Sequence, residues 1–110
     1  MSASSKPQRP RTPQLVIDRA AGMLRAAGDP ERLRILDLLL GGELQVSEIA
    51  ELTNAEMSTT SQRLRILLTE NLLKRRREGR DMFYRLADCH VETLVLNTLD
   101  HADPNVSIDS

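Results

Sequence analysis

The order of elements predicted between residues 46 and 86 constrains the fold more than any other feature of this sequence. Apolar residues at helical spacing predict a short helix from Val46 and a second helix from about Glu56. Between the two helices, the stretch from Thr53 to Ala55 predicts a tight turn. Two short helices joined in this way form a helix-turn-helix, although many buried helical hairpins share the outline.

An arginine-rich hairpin follows the second helix and narrows the choice of fold. The segments "LLKRRR" and "MFYRL" are strand-like and flank "EGRD", in which Gly79 allows a tight turn. The predicted hairpin therefore has a basic strand and a basic tip. A helix-turn-helix followed by such a hairpin predicts a winged helix, a mainly α (α+β) fold with about five helices and a two-stranded β-hairpin wing.

Two further helices are predicted before the helix-turn-helix. Residues 15–24 have a helical period, and Gly28 follows them as a glycine C-cap signature. Asp29 is predicted to cap the next helix, "PERLRILDLLL", with Pro30 in its first turn and two glycines after its end. The apolar residues of this helix cover too wide an arc for a surface position, so we expect it at the centre of the core.

Length and composition suit one small domain. The chain has 110 residues, 40% of them hydrophobic. We predict a disordered basic arm over residues 1–13, a folded domain over 14–104 and a disordered tail over 105–110. There is no apolar run of about 18 residues and no apolar signal segment at the N-terminus, so we expect a cytoplasmic protein without a membrane partner. A lone cysteine, Cys89, excludes an internal disulfide.

Basic residues concentrate in the second helix and the hairpin, although the formal net charge is only −1. Between residues 63 and 85, eight basic residues stand against three acidic ones: Arg63, Arg65, Lys74, Arg75, Arg76, Arg77, Arg80 and Arg85. An isolated charge run is usually a solvated face, but this run coincides with the elements that would approach DNA. Phe83 and Tyr84 are the only aromatic residues, which argues against recognition of stacked single-stranded bases.

The free side of the second predicted helix carries small polar residues that could read double-stranded DNA. Serine can contact phosphates or base edges, and Gln62 could pair bidentately with adenine. The sequence "STTS" is poor helix-forming sequence, which a purely structural helix has no reason to use. The residues predicted to bind DNA are Ser58, Thr59, Ser61, Gln62, Arg65, Arg75, Arg77 and Arg80.

Four segments between roughly residues 15 and 104 match a known pattern: "AAGDPERLRILDLLL", "LQVSEIAELTNAEMSTTSQRLRIL", "NLLKRRREGRDMFYRLAD" and the Asp-x-His at residues 88–90. In these segments the chain resembles the ArsR/SmtB family of metal-sensing winged-helix repressors. The resemblance implies a homodimer whose first and last helices form the interface. It also implies that the helix after the turn reads operator DNA, and that metal binding releases the protein from DNA.

The chain departs from the family pattern at two places. The pattern S-x-x-S-H-x-L maps onto residues 58–64, and Gln62 stands where the family usually has histidine. One family metal site needs cysteine thiols in the segment that reads "ELQVSE" here, where Gln45 and Ser47 replace them. We therefore expect that cysteine site to be absent.

The second family metal site, on the C-terminal helix, has matching residues in this chain. It uses an Asp-x-His followed at a fixed spacing by a second histidine, and the resemblance assigns these positions to Asp88, His90 and His101. Its fourth position falls on Pro104, which has no side-chain ligand, and the nearest candidate is Asp103. Nitrogen and oxygen ligands without thiolate favour zinc, with cobalt or nickel as alternatives.

His90 and His101 cannot bind one ion within a single chain. Eleven residues of helix turn by about 1100° and rise about 16 Å, so the two histidines share a face but lie far apart. Antiparallel pairing with the same helix of a second subunit, about an axis near Val95 and Leu96, forms two equivalent sites. The expected interface contacts are Val91, Leu94, Val95, Thr98 and Ala102. We expect Cys89 to pack without binding metal.

Two other classes of function compete with a metal-sensing repressor. A hydrolytic metalloenzyme needs a general base and an open coordination position, and the chain has no spare cluster of His, Glu or Cys to build them. We therefore expect neither enzymatic activity nor a small organic substrate. A winged-helix module for protein contacts, or a DNA-binding regulator without metal control, stays open because of Gln62 and Pro104.

Overall fold

The computed structural model describes residues 8–106, and this part of the chain contains five helices and three strands. The elements are α1 (Gln14–Ala27), α2 (Pro30–Leu39), β1 (Leu44–Gln45), α3 (Val46–Leu52), α4 (Met57–Thr69), β2 (Leu73–Glu78), β3 (Asp81–Leu86) and α5 (Cys89–Ala102). Helices α3 and α4 form the predicted helix-turn-helix, and β2 and β3 form the predicted wing. The predicted winged-helix fold is confirmed.

The junction between α1 and α2 is held by side chains on both sides. The Asp29 carboxylate accepts hydrogen bonds from the backbone N–H groups of Glu31 and Arg32, both at 3.1 Å, which confirms the predicted N-cap. Helix α1 ends at Ala27 with Gly28 as its C-cap residue, as predicted, but with a φ of −81° Gly28 does not form the left-handed cap common for glycine. The Arg32 side chain donates instead to the backbone oxygen of Ala26 at 2.7 Å. One arginine of α2 therefore satisfies a carbonyl at the end of α1.

Helix α2 lies at the centre of the core, as its wide apolar arc predicted. The buried cluster comprises Ala26, Ile35, Leu36, Leu39, Ile49, Leu64, Leu67, Leu72, Leu73, Tyr84, Leu86, Ala87, Val91 and Val95. The last two residues belong to α5, where a spacing of four places both on one face. Val91 and Val95 thus pack into the core of their own chain, and the prediction that they form contacts between subunits is wrong.

The sheet has one more strand than the predicted wing. Its order is β1-β3-β2, and all pairs are antiparallel. Glu78 pairs with Asp81, which leaves a two-residue loop of Gly79 and Arg80. A type II′ turn requires a positive φ at the first loop residue and a negative φ at the second. Gly79 has a φ of 63°, and the φ of Arg80 is not positive. The added strand β1 pairs with β3 next to the entrance of α3, so it ties the wing to the helix-turn-helix.

An ion-pair cluster lies on the outer face of this sheet. The Arg76 guanidinium donates to both carboxylate oxygens of Glu43, with distances of 2.9 to 3.1 Å. Its Nη1 lies 3.6 Å from the Glu78 carboxylate, and its Cζ lies 4.6 Å from the centroid of the Phe83 ring. The hydrogen bonds from Arg76, aided by its charge and that of Arg85, lower the pKa of Glu43. The same contacts raise the pKa of Arg76.

The two predicted disordered ends fall mainly outside the described residues. Residues 1–7 and 107–110 are not described, while residues 8–13 and 103–106 contain no helix or strand. The predicted boundaries of the arm and the tail therefore stay predictions. Within residues 8–106, no helix is long and apolar enough to cross a membrane.

The lowered pKa of Glu43 predicts a pH-dependent contribution to stability. Because folding favours the ionised carboxylate, the pair stabilises the fold above the ordinary carboxyl value of 4.5, and this is lost as pH falls through the lowered pKa. We expect Glu43→Gln to unfold at a slightly lower temperature than wild type at neutral pH and to converge with it in acid. Circular dichroism melts across pH measure this, with exposed Glu51→Gln as control. A difference that stays constant with pH would contradict it.

Candidate nucleic-acid interface and metal centre

Helix α4 presents a polar face to solvent. Leu64 and Leu67 anchor the opposite face in the core. Thr60 is also fully buried, and its hydroxyl donates to the backbone oxygen of Glu56 at 2.9 Å, so one residue of "STTS" has a structural role that the sequence did not reveal. The predicted DNA-binding residue Thr59 is half-buried, whereas four others are exposed on α4: Ser58, Ser61, Gln62 and Arg65. These four form a continuous polar surface at helical spacing.

A groove of about 420 Å³ separates α4 from the wing. It is lined by Ser61, Arg65, Leu68, Thr69, Arg75 and Tyr84. Strand β2 places Arg75 opposite Tyr84 and Arg77 opposite Met82, so these two arginines share the face of the sheet that is turned towards α4. Three predicted DNA-binding residues from two elements therefore surround one groove. Thr69, at the end of α4, and Tyr84, which the strand register places opposite Arg75, were missed because their place beside the groove depends on how the wing packs against α4.

The wing tip carries the remaining predicted DNA-binding arginine. Arg80 is the second residue of the two-residue loop and is exposed, as is Arg77 on β2. Because a type II′ loop is short, it holds the tip in one orientation relative to the strands. The exposed arginines of the wing and the polar face of α4 together form the candidate DNA interface.

The candidate metal ligands are divided between the two ends of α5. At the first end, the Asp88 carboxylate caps the helix by accepting from the backbone N–H of Val91 at 3.0 Å. The same Oδ1 atom lies 3.9 Å from Nδ1 of His90, whose side chain is 92% exposed. At the other end, His101 is exposed, and the C-cap residue Asp103 accepts from the backbone N–H of Asn105 at 2.9 Å. Each end thus offers one imidazole and one carboxylate.

Within residues 8–106 of a single chain, no group of three His, Cys, Asp or Glu side chains could hold a metal ion. Cys89 is exposed beside His90, so the prediction that it packs is wrong for the single chain. Two imidazoles and two carboxylates, one pair from each end of α5, would make a four-ligand set of the kind that zinc accepts. The residues fit the metal only if a second subunit supplies half of them.

An open apolar surface adjoins His101. Leu94 and Thr98 of α5 line a cavity of about 140 Å³ together with Leu24 of α1. Further along α5, an open surface is lined by Leu94, Asn97, Thr98, His101 and Ala102. The exposed large apolar residues of these two helices are Leu15, Val16, Ile17, Leu24, Leu94 and Leu96. A monomer would leave these apolar side chains in water.

Comparisons with known proteins point to one family. The family model described as "Bacterial regulatory protein, arsR family" matches residues 29–75. A transcriptional repressor SmtB homolog from Synechocystis is 41% identical over 81 residues, which are 74% of this chain and 61% of that protein. A cadmium resistance transcriptional regulatory protein CadC homolog from Staphylococcus aureus is 35% identical over 89 residues, which are 80% of this chain and 74% of that protein. The chain thus spans less than two thirds of the Synechocystis repressor.

A solved structure supports the same assignment. The homodimeric winged helix-turn-helix DNA-binding domain of Mb0332 from Mycobacterium bovis, described as a possible ArsR-family transcriptional regulator, superposes with a TM-score of 0.81. It is 30% identical, and the match covers 96% of this chain and 97% of that one. The matched proteins are regulators of transcription, which confirms the expectation that the chain is not an enzyme and sets aside the hydrolytic alternative. The chain belongs to the arsR family of bacterial regulatory proteins.

Proposed function

We propose that this chain is a homodimeric transcriptional repressor that binds palindromic operator DNA and is released by zinc held between its two α5 helices. The observation that carries the proposal is the exposed, divided ligand set at the two ends of α5. The family assignment supports the regulatory role. The candidate DNA interface and the apolar surface of α1 and α5 supply the two partners, DNA and a second copy of the chain.

The DNA-binding part of the proposal rests on the groove between α4 and β2. An α-helix fits the major groove, where the polar face of α4 would meet base edges. Arg75 and Arg65 line the groove beside that face, and Arg77 and Arg80 extend the positive charge along the wing. Arginine on a wing neutralises phosphates irrespective of sequence. The helix therefore selects the sequence, and the wing supplies affinity.

The dimer part of the proposal rests on the length of α5. His90 and His101 lie about 16 Å apart along the helix axis, too far for zinc–nitrogen bonds of about 2.0–2.1 Å to one ion. An antiparallel partner helix would bring Asp88 and His90 of one subunit to His101 and Asp103 of the partner subunit. The apolar residues of α1 and α5 would then be buried between the subunits.

A bound zinc ion would fix the distance and angle between the two α5 helices. Helix α5 packs against α2 and β3, and α2 packs against α4, so the DNA-reading helix moves with α5 as part of one core. Half-sites of a palindrome lie about 34–36 Å apart, and two α4 helices can fit both only in one arrangement of the subunits. A change at the α5 pair would therefore alter DNA affinity.

The choice of metal rests on ligand chemistry. Imidazole and carboxylate ligands suit zinc, with cobalt or nickel as alternatives, whereas a soft monovalent ion would need thiolates. The similarity to a protein named for cadmium resistance supports control by a divalent metal. The cysteine-dependent family site stays a predicted absence, because Gln45 pairs with Phe83 in the sheet and offers an amide in place of a thiolate.

A second candidate function is a regulator of the same family that binds DNA without metal control. Pro104 stands at the fourth ligand position, and Asp103 already uses one carboxylate oxygen for the backbone N–H of Asn105. These two observations favour either a metal site with only three protein ligands or the absence of a metal site. The metal experiments below distinguish the two candidates.

The division of labour on DNA is tested by substitutions in α4 and the wing. We expect Arg77→Ala and Arg80→Ala to weaken binding about equally on all duplexes and to reduce the log–log salt slope by about 0.9 for each phosphate that is no longer neutralised. Gln62→Ala should reduce discrimination at one base pair by ~1–3 kcal/mol. Fluorescence anisotropy over a range of salt concentrations measures both. Arg34→Ala, beside Leu99 of α5, is the charge-matched control. Equal effects of both classes on sequence preference would contradict the assignment.

The sharing of ligands between subunits is tested by mixing two inactive variants. His90→Ala and His101→Ala homodimers should each bind almost no zinc, because every site needs one histidine from each chain. In a heterodimer of the two variants, one site loses both histidines and the other keeps both. We expect calorimetry to find about one zinc per heterodimer. Asn97→Ala, on the same open surface of α5, is the control. Absence of recovery in the heterodimer would show that the site is not shared.

Asp88 is expected to have two roles that different substitutions separate. Asp88→Ala removes the N-cap of α5 and should cost ~0.5–2 kcal/mol of stability, whereas Asp88→Asn retains a good cap residue. Both variants should bind zinc more weakly, because neither has the carboxylate. Thermal unfolding and zinc calorimetry on the two variants measure the two roles independently. Wild-type zinc affinity in Asp88→Asn would show that Asp88 is a cap and not a ligand.

A further inference from the structure

The middle arginine of the basic run differs from its neighbours in orientation. Strand alternation places Arg75 and Arg77 on the side of the sheet turned towards α4, where Arg75 lines the groove. Arg76 lies on the opposite side, together with its cross-strand partner Phe83. The sequence presents three equivalent arginines, but only two of them face the candidate DNA interface.

The charge of Arg76 is also already compensated. Glu43 accepts its hydrogen bonds through both carboxylate oxygens at 2.9 to 3.1 Å, and Glu78 lies 3.6 Å away. A guanidinium held by two carboxylates has little net charge to offer a phosphate, and leaving Glu43 for DNA would break a bidentate pair. Arg76 therefore does not behave as a free phosphate ligand.

The contact spans the whole width of the sheet. Arg76 is on β2, Phe83 is on the middle strand β3, and Glu43 immediately precedes β1. The arginine side chain lies over the Phe83 ring, with its Cζ 4.6 Å from the ring centroid, and reaches the carboxylate beyond β3. Strands β1 and β2 are not hydrogen-bonded neighbours, so this side chain is a direct link between the outer wing strand and the segment that enters α3.

We infer that Arg76 and Glu43 form a clamp that sets the position of the wing relative to the helix-turn-helix, so that Arg76 acts on DNA binding as a positioning residue. The inference rests on the proposed DNA-binding function. Beyond the clamp the hairpin continues only to the pairs of Arg77 with Met82 and Glu78 with Asp81, so a rotation of β2 at Arg76 would displace Arg77 and the tip residue Arg80.

Charge reversal tests the clamp. The variants are Glu43→Arg, Arg76→Glu and the double variant with both changes, which restores an opposite-charge pair and the wild-type net charge. The probe is a DNA duplex selected from a random pool by the wild-type protein. We expect each single variant to bind it about fivefold more weakly or worse, and the double variant to recover most of the affinity and the wild-type salt slope. If Arg76 instead contacted a phosphate directly, the double variant would not recover affinity, because its residue 76 is acidic.

A matched control and a second readout make the outcomes separable. Arg77→Glu reverses the charge of the neighbouring arginine, which lies on the side of the sheet turned towards α4. Adding Glu43→Arg should not restore the DNA affinity of this variant. Full affinity in either single variant, or no recovery in a folded double variant, would overturn the clamp. If the wild-type protein selects no duplex, the proposed function fails. The clamp is then judged by thermal unfolding, where recovery of the midpoint in the double variant supports it and additive losses contradict it.

Discussion

The packing of α2 is the constraint on which the rest of the structure depends. Its buried face, formed by Ile35, Leu36 and Leu39, contacts residues from the other layers of this small domain, and α2 packs against α1, α4, α5 and β3. A chain with so few aromatic residues has no second group of large side chains from which to build another core. Helices α4 and α5 are therefore held by the same aliphatic residues, on which both candidate surfaces depend.

Local sequence features predicted the order and type of the elements. The cap at Asp29, the glycine in the wing loop and the apolar spacing of α4 act within a few residues, so each can be recognised without the fold. The faces of α5 were predicted less well. This helix is apolar on two sides, and periodicity alone does not say which side meets its own core. Val91 and Val95 were therefore assigned to the wrong surface.

Contacts between residues far apart in the chain were beyond the reach of sequence patterns. Glu43 and Arg76 are separated by 33 residues, and only the strand order β1-β3-β2 brings them together. The groove residue Tyr84 is likewise placed opposite Arg75 by the register of β2 and β3. The resemblance to the family assigned the candidate metal ligands, whereas their division into two half-sites follows from helix geometry and needs a partner chain to be completed.

Zinc stoichiometry of the purified dimer, measured together with its DNA affinity, tests the central claim most directly. We predict two zinc ions per dimer and a loss of affinity for the selected duplex when zinc is added, with no loss on addition of magnesium, which prefers oxygen ligands. Unchanged DNA affinity in saturating zinc, or zinc binding that persists in a monomer, would contradict the proposal that metal held between the two α5 helices controls release from DNA.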